Sequence, residues 1–504
     1  MNTEPVLLQA EAAAWDQATI HSGLDSRFLM AWAGQALFFA LSNTSQFNKA
    51  TTVIMILGNG NNAGDGYVLA WHLLQLCEKK IYIFYAEPKS ENCLYFYNLI
   101  AAKKSEFLSF FPLSDIFQIL PNLADLQNSI LVEGLLGLGL SRPLSNEQNH
   151  LIEKINLLKI FRIAIDIPAG LGANGEIFGT VFKADQTYTF GAYKIGQLIA
   201  PGISFCGDIS VLPVAFQKTA LPHTNRRLAN TYPISILRHS NAHKYTSGVC
   251  HIFGGSQGME GAAILAAKSF LALGGGLAKI YSYSQDIKSA LNSTPELMIK
   301  SGTDCAEDFL NTISSLKGKR IGVIGPGLSE PLSGKFWSSL FEIENLYLII
   351  DGSALRQIRE HEELFKNRKH GWIMLTPHAG EATALDSAFT TTVREKTQNI
   401  AERYAATVYY KGAGSFLIIP EKHTTHEIFF GAGSSALATG GTGDILCGVI
   451  ANLFSRFDNP AIAAEAAIDL YIKAACKTQS GISDFLTASE LIEGLRKQIL
   501  KAQD

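Results

Sequence analysis

The sequence is short of charge and of cysteine. Only 17% of its 504 residues are Asp, Glu, Lys or Arg, and 42 basic against 45 acidic side chains leave a net charge of -3. With no broad basic surface, nucleic acid and anionic membranes are poor partners, and neither is expected. The seven cysteines (Cys77, Cys93, Cys206, Cys250, Cys305, Cys447, Cys476) are scattered, odd in number and nowhere spaced Cys-x-x-Cys. That argues against a disulfide framework or a zinc site and fits thiols in a reducing compartment. No apolar run approaches the roughly 18–20 residues of a membrane helix. Residues 1–16 carry Glu4, Glu11 and Asp16 but no basic side chain, so the positive start of a signal peptide is missing. A cytoplasmic location is the expectation. What is abundant is apolar content, at 47%, enough to build sizeable cores over two to four domains of about 100–200 residues.

Apolar strand-like runs alternate with amphipathic helical stretches. Residues 52–57 form a β-branched run ending in glycine, followed by Val68, Leu69, Trp71, Leu73 and Leu76 at helical spacing. Further strand signals fall at 81–85, 130–132 and 161–167. This alternation predicts an α/β fold with a mostly parallel, doubly wound sheet and ligands at the C-terminal strand ends. Between about 216 and 240 the pattern breaks into polar and basic residues, the best candidate for a boundary. Strand signals resume at 249–253, 279–283, 321–324, 346–350, 372–375 and 407–411, with a helical pattern at 264–273. The expected organisation is two α/β domains, 1–224 and 225–504, each a mostly parallel sheet flanked by helices, with no internal repeat between them.

In the second half, four polar or glycine-rich segments each follow a strand signal: Gly254-Gly255-Ser256, Gly325-Pro326-Gly327, Thr376-Pro377-His378-Ala379-Gly380-Glu381 and Lys411-Gly412-Ala413-Gly414-Ser415. A fifth, Ala438-Thr439-Gly440-Gly441-Thr442-Gly443-Asp444, runs into Ile445, Leu446, Val449, Ile450 and Leu453 at helical spacing. A glycine turn into a helix offers unpaired backbone N–H groups and the positive end of the dipole to an anion. Asp444 is placed to take a proton from a hydroxyl attacking phosphorus. The bland alternative is that Asp444 caps its helix and that His378 is a strand-end histidine satisfied by backbone.

This ordered set, with His243-Lys244, Gly261-Ala262-Ala263 and Pro295-Glu296, resembles the ribokinase-like ADP/ATP-dependent NAD(P)H-hydrate dehydratases over about residues 240–500. The resemblance implies phosphorylation of the ring hydroxyl of hydrated NADH or NADPH (NADHX, NADPHX), with elimination of phosphate, using ADP or ATP and Mg2+. It places Ala262, Gly327, His378 and Asp444 at the hydrate, and Lys411, Gly412, Ala413, Gly414, Ser415 and Gly443 at the nucleotide. The base would be Asp444.

In the first half, the run 52–57 enters Gly58-Asn59-Gly60-Asn61-Asn62-Ala63-Gly64-Asp65-Gly66 and then a helix. Read as Gly-x-Gly-x-x-Ala, with Glu87 beyond the next strand, this is a weak dinucleotide fingerprint. An NAD-dependent dehydrogenase or plain nucleotide-binding module is one reading. The crowding of Asn59, Asn61, Asn62 and Asp65 into one turn is unlike a pyrophosphate cradle, although such residues also favour turns for local reasons. Two further strand ends carry Glu133 through Pro143 and Asp166-Ile167-Pro168-Ala169-Gly170. An aspartate closing a buried apolar strand is poorly explained by packing and well placed for proton transfer.

Together these segments resemble the NAD(P)H-hydrate epimerases over about residues 1–215, a Rossmann-like domain with a potassium ion (K+). The resemblance places Asn61, Asn62, Ala63, Gly64, Asp65, Gly137, Leu138, Gly139, Leu140, Ser141, Arg142, Pro143 and Asp166 at the hydrate. Asp166 would be the acid/base group, and Asn62 and Glu133 would hold the metal, with position 169. The chain departs from the pattern at Ala63 (glycine), Glu133 (aspartate), Leu138 (threonine) and Ala169 (serine), and near the start of the domain in residues 29–34. The fusion implies sequential chemistry, epimerisation feeding a dehydratase selective for one epimer, in a homo-oligomer. The alternative for the whole chain is a ribokinase-like small-molecule kinase fused to an inactive nucleotide-binding domain.

Overall fold

The computed structural model describes residues 4–122, 126–232, 234, 243–366, 368, 371–431, 433, 435–476 and 486–501. The chain divides into two compact units, Asn2–Arg226 and Arg227–Asp504. Of the polar connection read from the sequence, residues 233 and 235–240 lie outside the described residues. Among the described residues, no helix is long and apolar enough to cross a membrane.

In the first unit the strands are Val6–Leu7 (β1), Thr52–Leu57 (β2), Lys80–Tyr85 (β3), Leu108–Pro112 (β4), Ser129–Gly134 (β5), Phe161–Ile165 (β6), Gln186–Phe190 (β7), Tyr193–Lys194 (β8) and Asp208–Leu212 (β9). Seven form one sheet in the order β4-β3-β2-β5-β6-β7-β9, all neighbours parallel. The short β1 and β8 pair separately, also parallel. All six residues of β2 are buried, as a parallel strand covered by helices on both faces requires. Val53, Met55 and Leu57 join one core with the helices Ser26–Ser42 and Asn61–Leu76. Ile54 and Ile56 join another with Leu151, Ile152 and Ile155 of the helix Asn146–Asn156. The strand expected over 161–167 stops at Ile165, because Asp166 takes a left-handed φ of 62° and turns the chain out of the sheet.

The second sheet has ten strands: Arg226–Leu228 (β10), Val249–Phe253 (β11), Leu277–Ser282 (β12), Met298–Ser301 (β13), Arg320–Ile324 (β14), Leu346–Ile350 (β15), Gly371–Leu375 (β16), Thr407–Tyr410 (β17), Phe416–Pro420 (β18) and Thr425–Phe429 (β19). Their order is β10-β19-β18-β17-β16-β15-β14-β11-β12-β13. The run from β13 to β17 is parallel, and β18 and β19 add an antiparallel hairpin at one side.

The helix Thr442–Arg456, which carries Asp444, is clamped onto the helix Glu260–Ala272. Ser269 Oγ donates to the Ile445 carbonyl at 3.0 Å, and Asn452 Nδ2 donates to the Phe270 carbonyl at 2.9 Å. Gly448 makes the close crossing possible, since a Cβ there would collide with the Ala266 carbonyl oxygen and the Ser269 hydroxyl. Gly448→Ala is therefore expected to destabilise the second unit. The overpacking penalty of about 1–3 kcal/mol exceeds the gain of about 1 kcal/mol in helix propensity. Urea unfolding followed by Trp fluorescence should show a lowered midpoint, and an unchanged or raised midpoint would refute the tight crossing.

Candidate active sites

Parallel pairing brings the C-terminal ends of β11, β14, β15, β16 and β17 to one edge of the second sheet. The loops leaving them pack closely. At Gly325, which has a φ of 118°, a Cβ would collide with the Asp351 carbonyl oxygen. From this edge a cavity of about 720 Å³ opens, lined by Asp351, His378, Glu381, Lys411, Gly443 and Asp444 among others.

Its charge centre is Lys411. The ammonium lies 2.5 Å from Asp351 Oδ1 and 3.8 Å from Glu381 Oε2. Asp351 is nearly fully buried, accepts a 2.8 Å bond from Thr376 Oγ1 and meets the Cys447 thiol at 3.4 Å. Burial alone would push Lys411 down, but Asp351, Glu381 and Cys447 hold it above the usual lysine range. Asp444 stands in the first turn of its helix, and the cap position belongs to Gly441 at φ 89°. The capping reading of Asp444 therefore does not hold. Burial, then the charge of Asp351, pushes the Asp444 carboxyl up to about 7, with Lys411 opposing. A carboxylate so tuned exchanges protons near neutral pH.

Of the residues expected at this site, Lys411, Gly412, Ala413, Ser415, Gly443, His378 and Asp444 line the cavity, while Gly414 does not. Ala262 and Gly327 lie outside the lining and against each other, since a Cβ on Gly327 would come within 2.9 Å of the Ala262 methyl. His378 caps the helix Ala379–Leu385: its Nδ1 accepts from the backbone N–H of Gly380 at 3.0 Å and of Glu381 at 3.4 Å. The backbone reading of its ring is thus correct, and Nε2 remains, 3.4 Å from Glu381 Oε1. Asp351 was missed in the sequence, although it closes a buried apolar strand just as Asp166 does. Tyr471 on the helix Pro460–Cys476 also lines the cavity without a local sequence signal.

In the first unit the ends of β2, β5 and β6, adjacent in the sheet, frame a cavity of about 570 Å³. Asn62 bridges two of the loops, its Nδ2 donating to the Leu136 carbonyl at 2.6 Å and the Ile165 carbonyl at 3.1 Å. Among the described residues its buried Oδ1 finds no hydrogen-bond partner. Glu133 is wholly buried and accepts from the N–H of Leu135 at 2.6 Å and of Ala169 at 3.1 Å. Burial pushes its carboxyl up to about 8 despite those bonds. Asp166 Oδ1 accepts from Lys194 Nζ at 2.7 Å and Thr189 Oγ1 at 2.9 Å, and Gln197 Nε2 holds the Asp166 carbonyl at 2.7 Å.

Asn61, Asn62, Asp65, Gly137, Leu138, Gly139, Leu140 and Asp166 line this cavity. Ala63 and Gly64 do not. Ala63 is packed in the apolar core beneath the helix, so its methyl points away from the cavity. Ser141, Arg142 and Pro143 are exposed and outside the lining. Asp16 and Lys194 line the cavity and were not read from the sequence. Lys194 comes from a two-residue strand, and Asp16 from a helix that precedes the sheet.

Comparison with known proteins matches these two halves separately. Residues 250–496 match the family described as NAD(P)H-hydrate dehydratase, and residues 26–196 match the YjeF-related protein N-terminus. Curated relatives span both. The bifunctional NAD(P)H-hydrate repair enzyme Nnr of Coxiella burnetii is 29% identical over 95% of this chain and 96% of its own length. That of Escherichia coli is 28% identical over 92% and 86%. Among solved structures, an ADP/ATP-dependent NAD(P)H-hydrate dehydratase from Bacillus subtilis, crystallised with ATP/Mg2+, is 24% identical over 53% of this chain and 94% of its own, at a TM-score of 0.44. The chain belongs to the bifunctional NAD(P)H-hydrate repair family, a YjeF-related N-terminal half joined to an NAD(P)H-hydrate dehydratase half.

Proposed function

We propose that the chain repairs hydrated nicotinamide cofactors, its residues 1–224 interconverting the two epimers of NADHX and NADPHX and its residues 225–504 dehydrating one of them with ADP or ATP. The observation that carries the reading is Asp444, a carboxyl raised to about 7 in the first turn of a helix, sharing its cavity with Lys411. In this reading Asp444 takes the proton of the ring hydroxyl as that oxygen attacks the terminal phosphorus, and the bridging P–O bond breaks to release AMP from ADP, or ADP from ATP. Lys411 and the N–H groups at the helix start receive the developing negative charge. The new phosphate ester sits on a carbon beside the ring nitrogen. The nitrogen lone pair expels phosphate, and loss of a proton from the neighbouring carbon restores the dihydropyridine.

Glu381, which lines the cavity, would be the protein carboxylate for a Mg2+ ion carried in on nucleotide phosphates, for which one such group suffices. When bound, that ion would neutralise phosphate charge. In the N-terminal half, the unpartnered Oδ1 of Asn62 and the buried carboxyl of Glu133 suit an oxygen-coordinated cation such as K+. Such an ion would supply the countercharge Glu133 lacks. Replacing NaCl with KCl is therefore expected to raise the thermal unfolding temperature of the wild type and not of Glu133→Gln. An equal response in both proteins would remove Glu133 from the cation site.

The test of the reading is recovery of absorbance by the restored dihydropyridine from a mixture of hydrate epimers, with ADP or with ATP plus Mg2+. Full recovery is expected. No recovery with either nucleotide refutes the dehydratase and leaves a small-molecule kinase; recovery that stops once one epimer is consumed refutes the epimerase.

The base has to be ionised to act, so the dehydration rate should climb with pH through about 7 and level off above it. Asp444→Asn should lower kcat by roughly 10²–10⁴-fold. Lys411→Met removes the charge that lowers the Asp444 pKa and should move this limb to higher pH. Asp351→Asn removes a charge that raises it and should move the limb to lower pH. Limbs that stay put in both variants would exclude Asp444 as the titrating base.

A further inference from the structure

The N-terminal cavity holds more ionisable groups than Asp166 alone accounts for. Three carboxyl groups line it from different elements: Asp16 on the helix Gln9–His21, Asp65 in the helix Asn61–Leu76, and Asp166 at the end of β6. One ammonium, that of the nearly fully buried Lys194, lines it too. These groups are not equivalent. Lys194 Nζ is committed to Asp166 Oδ1 at 2.7 Å, to Thr189 Oγ1 at 2.7 Å and to the Phe190 carbonyl at 3.0 Å. Asp166 is thereby ion-paired through its Oδ1. Among the described residues no basic side chain pairs with Asp65. Asp65 and Asp166 follow β2 and β6, which flank β5. Asp65 sits in the first turns of the helix after β2 and Asp166 at the end of β6, and both carboxyls line the one cavity of about 570 Å³.

We propose that Asp65 is the general acid and Asp166 the general base of epimerisation, and that Lys194 is the positioning residue that keeps the two roles apart. The inference rests on the epimerase reading given above. Water adds to a dihydropyridine at the carbon beside the ring nitrogen, so the epimeric centre carries a hydroxyl next to that nitrogen. The O–H bond of the Asp65 carboxyl breaks and its proton goes to this hydroxyl. The C–O bond then breaks, its electron pair leaving with water, while the nitrogen lone pair forms a C=N bond. A water on the opposite face loses a proton to Asp166 as its oxygen bonds to the carbon, and the C=N pair returns to nitrogen. Nothing is oxidised or reduced, and one water leaves as one enters. The net transfer of a proton from Asp65 to Asp166 is reversed between turnovers by exchange with solvent, or by a turnover in the opposite sense.

The other groups facing Asp65 support this division. Burial, then the charges of Asp166 and Asp16, pushes the Asp65 carboxyl well above the usual carboxylate range. Asp16 is itself raised by burial and by Asp166. Cys93, from the helix Glu91–Ala101, is a buried thiol pushed up to about 12 and stays neutral.

The test follows interconversion of chromatographically separated hydrate epimers by the full chain without nucleotide. In the wild type kcat/KM should fall at alkaline pH as Asp65 loses its proton. Asp65→Asn should slow interconversion roughly 10²-fold or more with KM little changed, and should lose the alkaline fall. Lys194→Met should slow kcat roughly tenfold or more, and Lys194→Arg should restore it. Interconversion by Asp65→Asn within about threefold of wild type, or a wild-type profile without the alkaline fall, overturns the acid role. Lys194→Met at the wild-type rate, or Lys194→Arg no faster than Lys194→Met, overturns the positioning role. A wild type that interconverts nothing refutes the epimerase reading and this inference with it, whereas active wild type beside an active Asp65→Asn refutes the inference alone.

Discussion

Parallel strand pairing is the constraint on which both sites depend. Each strand must be joined to its parallel neighbour by a crossover, so every βα turn leaves from the same edge of the sheet. Loops far apart in sequence then meet at about one strand spacing, near 4.8 Å. In the second unit this brings the turns after Ile324, Ile350, Leu375 and Tyr410 side by side. In the first it does the same for the ends of β2, β5 and β6. The strands behind these turns are covered on both faces, as the fully buried β2 and β5 are. Charged groups at the turns are therefore partly desolvated, and their proton affinities answer to a few neighbours rather than to bulk water.

The two sites settle their charges in a common way. Each sets one lysine among three carboxyl groups: Lys411 with Asp351, Glu381 and Asp444, and Lys194 with Asp166, Asp65 and Asp16. In each, the lysine closes tightly on one aspartate, at 2.5 Å for Asp351 and 2.7 Å for Asp166. Another carboxyl in each cavity is pushed upward, Asp444 to about 7 and Asp65 well above the usual carboxylate range. Carboxyls made unequal in this way divide proton-accepting from proton-donating work at one pH. The differences follow from the reaction each site serves. The C-terminal cavity needs a base and a cation for phosphate, whereas the N-terminal one needs an acid and a base around a ring.

Much of this was legible in the sequence where a single local rule sufficed. Continuous apolar runs such as Thr52–Leu57 and Leu346–Ile350 marked buried parallel strands. The glycine turn before Asp444 and the strand-end position of Asp166 marked residues that line the two cavities. The strand Gln186–Phe190, paired on both sides, was harder. It mixes polar and aromatic residues because Thr189 serves Asp166 and Thr187 bonds the Cys206 carbonyl. Asp351 obeys the rule that singled out Asp166 and could have been found by applying it uniformly. Lys194 could not, since nothing local distinguishes a lysine in a two-residue strand 28 residues from its partner. The sequence left His378 with two readings, and only the structure shows its Nδ1 turned onto its own helix and Ala262 and Gly327 against each other.

The substitutions in the N-terminal half are best judged by where their atoms go. The methyl of Ala63 points into the core, where it packs at no cost to the cavity. Glu133 is one methylene longer than aspartate, and the extra length carries its carboxyl to the N–H of Ala169, whose side chain has no hydroxyl to offer. The two changes thus compensate each other in holding the β5 and β6 turns together. They lie on the Glu133 side of the site, while Asp65, Asp166 and Lys194 line the cavity. A domain kept only as scaffold would gain nothing from such groups. A buried Lys–Asp pair adds little net stability, and a buried amide oxygen without a partner costs about 1–3 kcal/mol. Among the described residues the Oδ1 of Asn62 carries that cost, and the carboxyls of Glu133 and Asp65 are desolvated nearby, which proton and cation chemistry at the cavity accounts for.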